Sequence, residues 1–175
     1  RRRLHDYARK AAREGGIGTT WTAVDATFET ELSVWINTVT TGSVATAIST
    51  FVGLIAPTWI RESLARKAIA ILGPGVPDIY QGTQWWDDSL VDPDNRRPVD
   101  YSRAPDQKTE LVRLALSIRG RHPSSFAPGG SYTPLTADGP AATHVVAFAR
   151  GSGDGSVVVV TARCTHRPHP SGTTG

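Results

Sequence analysis

Apolar residues recur at spacings of three and four along much of the first 120 residues, which is the spacing of helices that bury one face. The first predicted helix covers residues 2–14 and stops at Gly15-Gly16. The second covers residues 26–40 and is capped by Asp25. The predicted buried positions are Leu4, Tyr7, Ala8 and Ala11 in the first helix, and Phe28, Leu32, Trp35, Ile36 and Val39 in the second.

Two further helices are predicted before the middle of the chain. Gly42 and Ser43 interrupt the pattern, and residues 44–55 form a short apolar helix. Pro57 suits the first turn of the next helix, and Gly73 suits its C-terminal cap. The predicted buried face of this helix consists of Trp59, Ile60, Leu64, Ala68, Ile71 and Leu72.

The pattern changes towards the C-terminus. Asp106 can cap a helix over residues 107–121, which is followed from Phe126 by short β-rich segments and turns with Gly and Pro. The helix repeats Leu111, Leu114, Ala115 and Ile118 at helical spacing, and the predicted strands lie within residues 131–135, 144–150 and 156–163. We therefore expect a small antiparallel β domain after the helices.

The stretch from Gly73 to Tyr101 has neither helical nor extended strand periodicity. A short apolar segment at residues 76–80 predicts a strand, and the remainder predicts a long loop. Long loops in compact domains are usually functional or disordered. Disordered segments are poor in large apolar side chains, so Trp85 and Trp86 indicate an ordered, functional loop.

The segment PGVPDIYQGT, followed by SLVDPDNRRPVD, resembles the eighth barrel strand and following loop of maltooligosyltrehalose synthases, members of the α-amylase superfamily. The resemblance extends from Arg2 to Arg163. It implies an α/β fold in which residues 1–122 form the C-terminal portion of a (β/α)8 barrel and residues 123–163 begin a small antiparallel β domain. Residues 164–175 have no strand pattern and are expected to be an aberrant or disordered tail.

The resemblance implies an isomerase that converts the reducing-end α-1,4 linkage of a maltooligosaccharide to an α,α-1,1 linkage. Such a retaining transfer uses paired carboxyl groups. In the superfamily, the nucleophilic Asp, the acid Glu and the stabilising Asp lie on the fourth, fifth and seventh strands, and all three would precede Arg1. We therefore expect no catalytic residue in this chain, no activity from it alone, and no cofactor or metal.

Substrate binding is expected at the C-terminal end of the eighth strand, because barrel active sites form there. The residues at that position are Tyr80, Gln81, Gly82 and Thr83. The resemblance also implies a substrate-binding role for Asp94 and Arg96, in a loop near the leaving-group sugar. An ion-paired loop with structural duties only is the other interpretation of those two residues. Position 84 is Gln where the family commonly has Glu, which removes a charge there.

Two other functions remain open at this point. A starch-acting hydrolase of the same superfamily would share the barrel, and a non-catalytic glycan-binding module would explain an aromatic loop without a catalytic carboxylate pair. Trp21 is interpreted as a core residue between two helices, with a sugar-stacking role as the alternative. Ala23-Val24 follows it where the family tends to have an Asn/Asp-Pro pair.

Charge and composition indicate which classes of partner to expect. The formal net charge is +3 and the sequence pI is about 9.4, but the basic residues are scattered among acidic ones, so nucleic-acid binding is not expected. Cys164 is a single cysteine and cannot form an internal disulfide. No apolar run approaches the roughly 18 residues of a membrane span, and no signal segment opens the chain. We expect a cytoplasmic protein with a glucan substrate and no membrane partner.

Two apparent motifs are interpreted as non-functional. His5-Asp6 is the dipeptide that amylase relatives carry near their catalytic centre, but here it lies within a helical pattern. Cys164, His166 and His169 could suggest a metal site, but three ligands on a Pro-rich terminus lack a rigid scaffold.

Overall fold

The computed structural model describes residues 1–90 and 96–165. Five helices and three strands lie in the described residues: α1 (Arg2–Gly15), α2 (Ala26–Val39), α3 (Gly42–Leu72), α4 (Gln107–Arg121), α5 (Pro123–Phe126), β1 (Tyr132–Leu135), β2 (Val145–Arg150) and β3 (Val157–Ala162). The chain divides into two compact units. The first comprises residues 1–55 and 88–99, and the second comprises residues 56–87 and those from 100 onward.

In the first unit, α1 and α2 are joined by polar contacts. Gly16 ends α1 in the left-handed region at φ 64°, where glycine carries no steric cost. The carboxylate of Asp25 accepts from the Phe28 backbone N–H at 2.9 Å, which confirms the predicted cap of α2. Arg13 donates to both carboxylate oxygens of Glu29, at 2.7 and 2.8 Å, and ties the two helices together.

In the second unit, the C-terminal half of α3 and the helices α4 and α5 pack on a three-stranded antiparallel sheet of order β1-β2-β3. Phe148 of the central strand is only 2% exposed and pairs with Val159 of β3. Burial of a large apolar side chain is worth about 1.5–3 kcal/mol, so this cluster holds the unit together. Its buried members are Ile71, Leu72, Val112, Ala115, Phe126, Phe148 and Val159.

The prediction of two helices between residues 44 and 72 was wrong, because α3 is one helix of 31 residues with Pro57 inside it. Proline removes one helical hydrogen bond and commonly bends a helix. The helix continues through it because no other residue from Leu54 to Thr58 favours a turn. The end predicted at Gly73 is confirmed: the Gly73 N–H donates to Ile69 O at 2.8 Å, and a Cβ on Gly73 would lie 2.6 Å from that oxygen.

The strand predicted at residues 76–80 is not formed. These residues are without regular secondary structure. A strand exists only through hydrogen bonds to a neighbour, and the three described strands pair with one another instead. The strands predicted in the C-terminal third are confirmed, with the antiparallel pairing expected.

Several predicted core positions are wrong. Trp21 is 57% exposed and Trp35 is 60% exposed. In α1, Ala12 is buried while Leu4 and Tyr7 are partly exposed, and in α4 Val112 is buried while Leu114 is 55% exposed. Periodicity locates the apolar stripe of a helix but does not tell which part of that stripe its neighbours within the chain cover.

The first half of α3 presents an apolar stripe to solvent. Val44, Ile48, Phe51 and Val52 are 42–60% exposed, and Ser43, Thr46, Thr50 and Gly53 lie on the opposite side. By length and mean hydropathy alone, α3 could cross a membrane, and none of its most apolar 18-residue window is buried. This corrects the expectation that no apolar segment of the chain approaches the length of a membrane span. Leu54 is 75% exposed and lies on the side of Thr50, so the exposed apolar surface extends beyond the stripe.

We expect this stripe to make the isolated chain associate with itself, since exposed contiguous apolar surface promotes aggregation. Replacing both Ile48 and Phe51 with Ser should lower static light scattering of the purified chain at a given concentration. Thr46→Ser, on the opposite side of the same helix, is the matched control and should scatter like the parent. Equal scattering by the double variant and the parent would show that the stripe is not responsible.

Candidate sugar-binding site

The predicted sugar-binding residues from 80 to 83 form a tight turn in the second unit. The Thr83 backbone N–H donates to Tyr80 O at 3.1 Å, and both central residues have positive φ, 48° at Gln81 and 79° at Gly82. This is the backbone of a type I′ turn, in which glycine is favoured at the second central position. Tyr80 is 66% exposed and Gln81 is exposed, so the turn presents a phenol and an amide to solvent.

Gln81 is held in a conformation that non-glycine residues rarely adopt. The left-handed region costs such a residue roughly 1–2 kcal/mol, and residues of this kind concentrate at functional sites, where the surroundings maintain them. A second hydrogen bond, from the Trp85 N–H to Gly82 O at 3.1 Å, continues the turn into the following residues. The geometry at Gln81 therefore depends on how residues 84–86 are held.

Residues 84–86 are held by the segment that leads into α4. Asp106 accepts from the Trp86 N–H at 3.1 Å through one carboxylate oxygen and from the Thr109 N–H at 2.8 Å through the other. Three successive backbone carbonyls accept hydrogen bonds from the same segment. Thr109 Oγ1 donates to Gln84 O at 3.2 Å, Lys108 Nζ to Trp85 O at 3.1 Å and Arg103 Nη2 to Trp86 O at 3.2 Å.

The aromatic side chains of this loop are also fixed. Trp85 is 7% exposed, and its indole N–H donates to Ala104 O at 3.2 Å. Trp86 meets Trp59 edge to face, with ring centroids 5.4 Å apart, and the Lys108 ammonium lies 5.4 Å from the Trp86 ring. Such ring and cation contacts are each worth about 0.5–1.5 kcal/mol. The tryptophan pair thus holds residues 84–86 in place, as its presence indicated, while residues 91–95 of the loop lie outside the described residues.

Two ionisable groups at this junction have shifted pKa values. Partial burial opposes ionisation of Asp106, but hydrogen bonds from the Thr109 and Trp86 N–H groups outweigh it and hold the pKa of that carboxyl below its ordinary value. Burial lowers the pKa of the Lys108 ammonium, and the positive charge of Lys67 nearby lowers it further. Asp106 is therefore fully ionised at neutral pH, as an acceptor of several hydrogen bonds must be.

The other end of the loop is held by a later turn of α4. Arg119 donates from Nη1 to Ile71 O at 2.8 Å and from Nη2 to Gly75 O at 3.0 Å, and its guanidinium lies 4.7 Å from the Phe126 ring. A cation at the C-terminus of a helix stabilises the last carbonyls, and here that helix is α3. Helix α4 therefore anchors the chain on both sides of residues 76–83.

These anchoring residues were not predicted as part of the site. The sequence pattern identified Asp106 only as a helix cap, which is confirmed, and gave no role to Lys108, Thr109 or Arg119. A capping carboxylate has two oxygens and can serve a second donor. An Asp directly after a long loop was the signal available, but its second partner, Trp86, lies 20 residues away in the chain.

Arg96 and Asp94 are the other two predicted sugar-binding residues. Arg96 is exposed and belongs to the first unit, whereas residues 80–83 belong to the second, and Asp94 lies outside the described residues. Elsewhere in the first unit, Arg97 Nη2 donates to Ser89 Oγ at 3.2 Å, and Arg3 Nη2 donates to Asp88 O at 2.7 Å. The roles assigned to Arg96 and Asp94 stay predictions.

Trp21 of the first unit lies at a hydrogen-bonded turn. The Thr20 N–H donates to Ala23 O at 3.0 Å, and the Arg13 guanidinium lies 4.9 Å from the Trp21 ring. The hydrogen bond from Arg13 holds the pKa of Glu29 below its usual value, which keeps this ion pair charged. The ring is thus a fixed and exposed aromatic surface rather than part of a core.

The two motifs interpreted as non-functional have ordinary surroundings where they are described. His5 lies in α1 with Nε2 3.1 Å from Asn37 Oδ1, and Asp6 lies 3.6 Å from Arg9 in an ion pair. Cys164 is exposed, while His166 and His169 lie outside the described residues. Within residues 1–90 and 96–165, no group of three or more His, Cys, Asp or Glu residues could hold a metal ion.

The chain is similar in sequence to known proteins. The chain is 42% identical, over 98% of its length, to a maltooligosyl trehalose synthase of Mycobacterium tuberculosis strain H37Rv, and equally to that of strain CDC 1551. It spans 23% of the length of these relatives. No protein-family model matches the chain.

The solved structures that the chain resembles are also of maltooligosyltrehalose synthases. A mutant of maltooligosyltrehalose synthase from Arthrobacter ramosus matches 93% of the chain with a TM-score of 0.80 and 36% identity, and the match covers 23% of that protein. A hypothetical maltooligosyl trehalose synthase from Sulfolobus tokodaii matches 92% of the chain with a TM-score of 0.80 and 27% identity. The chain is therefore homologous to one part of the maltooligosyltrehalose synthases, over nearly all of its own length and about a quarter of theirs.

Proposed function

We propose that this chain supplies the C-terminal portion of the (β/α)8 barrel of a maltooligosyltrehalose synthase, residues 1–122, and the beginning of its C-terminal β domain, residues 123–163. The observation that carries the proposal is the match of almost the whole chain to solved synthases at a TM-score of 0.80. The segment at residues 76–80 supports it: it follows α3 directly and lacks a strand partner among the described residues. A barrel strand requires neighbours on both sides.

In this proposal the reaction is an intramolecular transglycosylation on maltooligosaccharides. The reducing-end glucose leaves its 1,4 linkage and is rejoined through its anomeric hydroxyl as an α,α-1,1 linkage. A retaining mechanism needs a nucleophilic carboxylate and an acid about 5–5.5 Å from it, and both would come from polypeptide preceding Arg1. The chain would therefore be inactive alone and would contribute substrate binding rather than catalysis.

Residues 80–83 are the proposed contact with the sugar. A phenol, an amide and exposed backbone at a glycine turn can donate to and accept from sugar hydroxyls. The turn is held on both sides by α4, so its polar groups are pre-organised, which lowers the ordering cost of binding. Asp94 and Arg96 would hold the released glucose until it is rejoined, because a planar guanidinium can grip hydroxyls in more than one pose.

The exposed stripe of α3 fits the same proposal. Helices of a (β/α)8 barrel pack one apolar face on the strands, and the first half of α3 has such an exposed apolar stripe. We propose that it packs against the rest of the barrel and not against lipid, that the protein is cytoplasmic, and that it acts on a glucan without nucleic acid, cofactor or metal.

A chimera tests the proposal. Residues 1–165 of this chain would replace the matching segment of the Arthrobacter ramosus synthase, and products from maltopentaose would be separated by chromatography. We expect a product with a trehalosyl end, and no product from the 175-residue chain alone. Mainly glucose and shorter maltooligosaccharides would instead indicate the segment of a hydrolase. A folded chimera that forms neither product would contradict the proposal.

Arg96 is tested in the same chimera. Arg96→Lys should raise the ratio of released glucose to trehalosyl product by about tenfold or more, because a hydrogen bond to a charged group is worth roughly 1.5–3 kcal/mol. Arg97→Lys is the matched control, since Arg97 donates to Ser89 of its own loop. If the two variants give the same ratio as the parent, Arg96 belongs to the scaffold of the loop.

A further inference from the structure

Asp106 joins the cap of α4 to the loop that carries the proposed sugar-binding turn. One of its carboxylate oxygens accepts from the Thr109 backbone N–H at 2.8 Å. The Thr109 hydroxyl, which has a single proton, lies 2.9 Å from the same oxygen and 3.2 Å from Gln84 O. The other carboxylate oxygen accepts from the Trp86 backbone N–H at 3.1 Å. An ionised carboxylate can accept at both oxygens, and such charge-assisted hydrogen bonds are stronger than neutral ones.

The backbone at Trp86 is coupled to the turn by a short chain of hydrogen bonds. Trp85, the preceding residue, donates its N–H to Gly82 O at 3.1 Å, and Thr83 donates to Tyr80 O at 3.1 Å. These two bonds and the strained φ of Gln81, 48°, define the backbone from which the exposed side chains of Tyr80 and Gln81 project. A strained backbone persists only where its surroundings over-determine it. Release of Trp86 would therefore let Gln81 relax towards an ordinary conformation.

We propose that Asp106 is a positioning residue of the glucan site: by binding the Trp86 N–H it sets the turn of residues 80–83 in its binding conformation. This inference rests on the proposed function, in which that turn contacts the sugar. It assigns Asp106 no contact with substrate. The neighbouring donors Lys108 and Thr109 bind the Trp85 and Gln84 carbonyls and hold the same strip of backbone, whereas Asp106 accepts from the Trp86 N–H.

The substitution Asp106→Asn separates the two duties of this side chain. Asparagine caps helices about as well as aspartate, so α4 should still begin at the same residue. An amide has only one acceptor oxygen and cannot serve Thr109 and Trp86 from opposite sides. Asp25→Asn is the matched control, because Asp25 caps α2 through the Phe28 N–H in the first unit and belongs to no sugar-binding turn of the proposal.

The kinetic test uses the chimeric synthase with maltopentaose. Asp106→Asn should raise KM by about tenfold or more, the factor expected for loss of a hydrogen bond to a charged group. Asp25→Asn should leave KM at the parent value. Its melting temperature should fall by about the same small amount as that of Asp106→Asn. If Asp106→Glu has the KM of the parent, the result would support positioning through a carboxylate. Equal KM values in the two Asn variants would overturn the proposal, because a merely structural role would move stability alone.

A second test does not require activity and uses the 175-residue chain. Chymotrypsin cleaves after aromatic residues, and Tyr80, Trp85 and Trp86 lie in the segment that Asp106 holds. Cleavage in this segment should be about ten- to a hundredfold faster in Asp106→Asn than in the parent, because cleavage follows the population of the open form. Unchanged cleavage would overturn the proposal. An inactive parent chimera with faster cleavage in the variant would instead count against the proposed function and in favour of the anchoring by Asp106.

Discussion

The polar contacts of helix α4 are the constraint on which the second unit depends. One face of α4 buries Val112 and Ala115 in the core with Ile71 and Leu72, and its polar residues bind the chain that runs from α3 to Trp86. Apolar packing is non-directional and would not by itself fix the path of a segment that has no secondary structure. Hydrogen bonds from charged groups are directional, and they define that path at its two ends.

Between these two ends Tyr80 and Gln81 are exposed, Trp85 is buried, and the backbone is strained at Gln81. Gly75 and Trp86 are fixed by Arg119 and Asp106, and Gln81 lies between them at φ 48°. A turn anchored in this way presents its side chains without the entropy cost of ordering them on binding. Such a turn offers a phenol and an amide at an open surface, on backbone that is held from both sides.

Much of the helical and strand content followed from local signals. The caps at Asp25 and Asp106, the stop at Gly73 and the three C-terminal strands depend on residues close in sequence, and the pattern contains them. The predictions were wrong where contacts between residues distant in sequence determine the structure. Pro57 does not interrupt α3, Trp21 is exposed rather than buried, and residues 76–80 have no strand partner among the described residues.

In the candidate site, too, contacts between residues distant in sequence were not predicted. Residues 80–83 were chosen as a sugar contact because their types resemble a known segment, and that role stays a prediction. The turn that they form, with Gly82 at φ 79°, was not predicted. The group that holds it was not recognisable, because Asp106 and Trp86 are 20 residues apart and nothing in the intervening sequence pairs them. Helix capping is a local property of a sequence, whereas the second partner of a capping carboxylate is a property of the fold.

Hydrogen exchange at the Trp86 amide tests the central claim, the anchoring of this loop by Asp106, most directly. The amide donates to a carboxylate in the structure, so exchange must wait for that bond to open. Measured by mass spectrometry on peptides of the 175-residue chain, the Trp86 amide should exchange about ten- to a hundredfold more slowly in the parent than in Asp106→Asn. The Phe28 amide should be unaffected by that substitution. Equal exchange of the Trp86 amide in the two proteins would contradict the account.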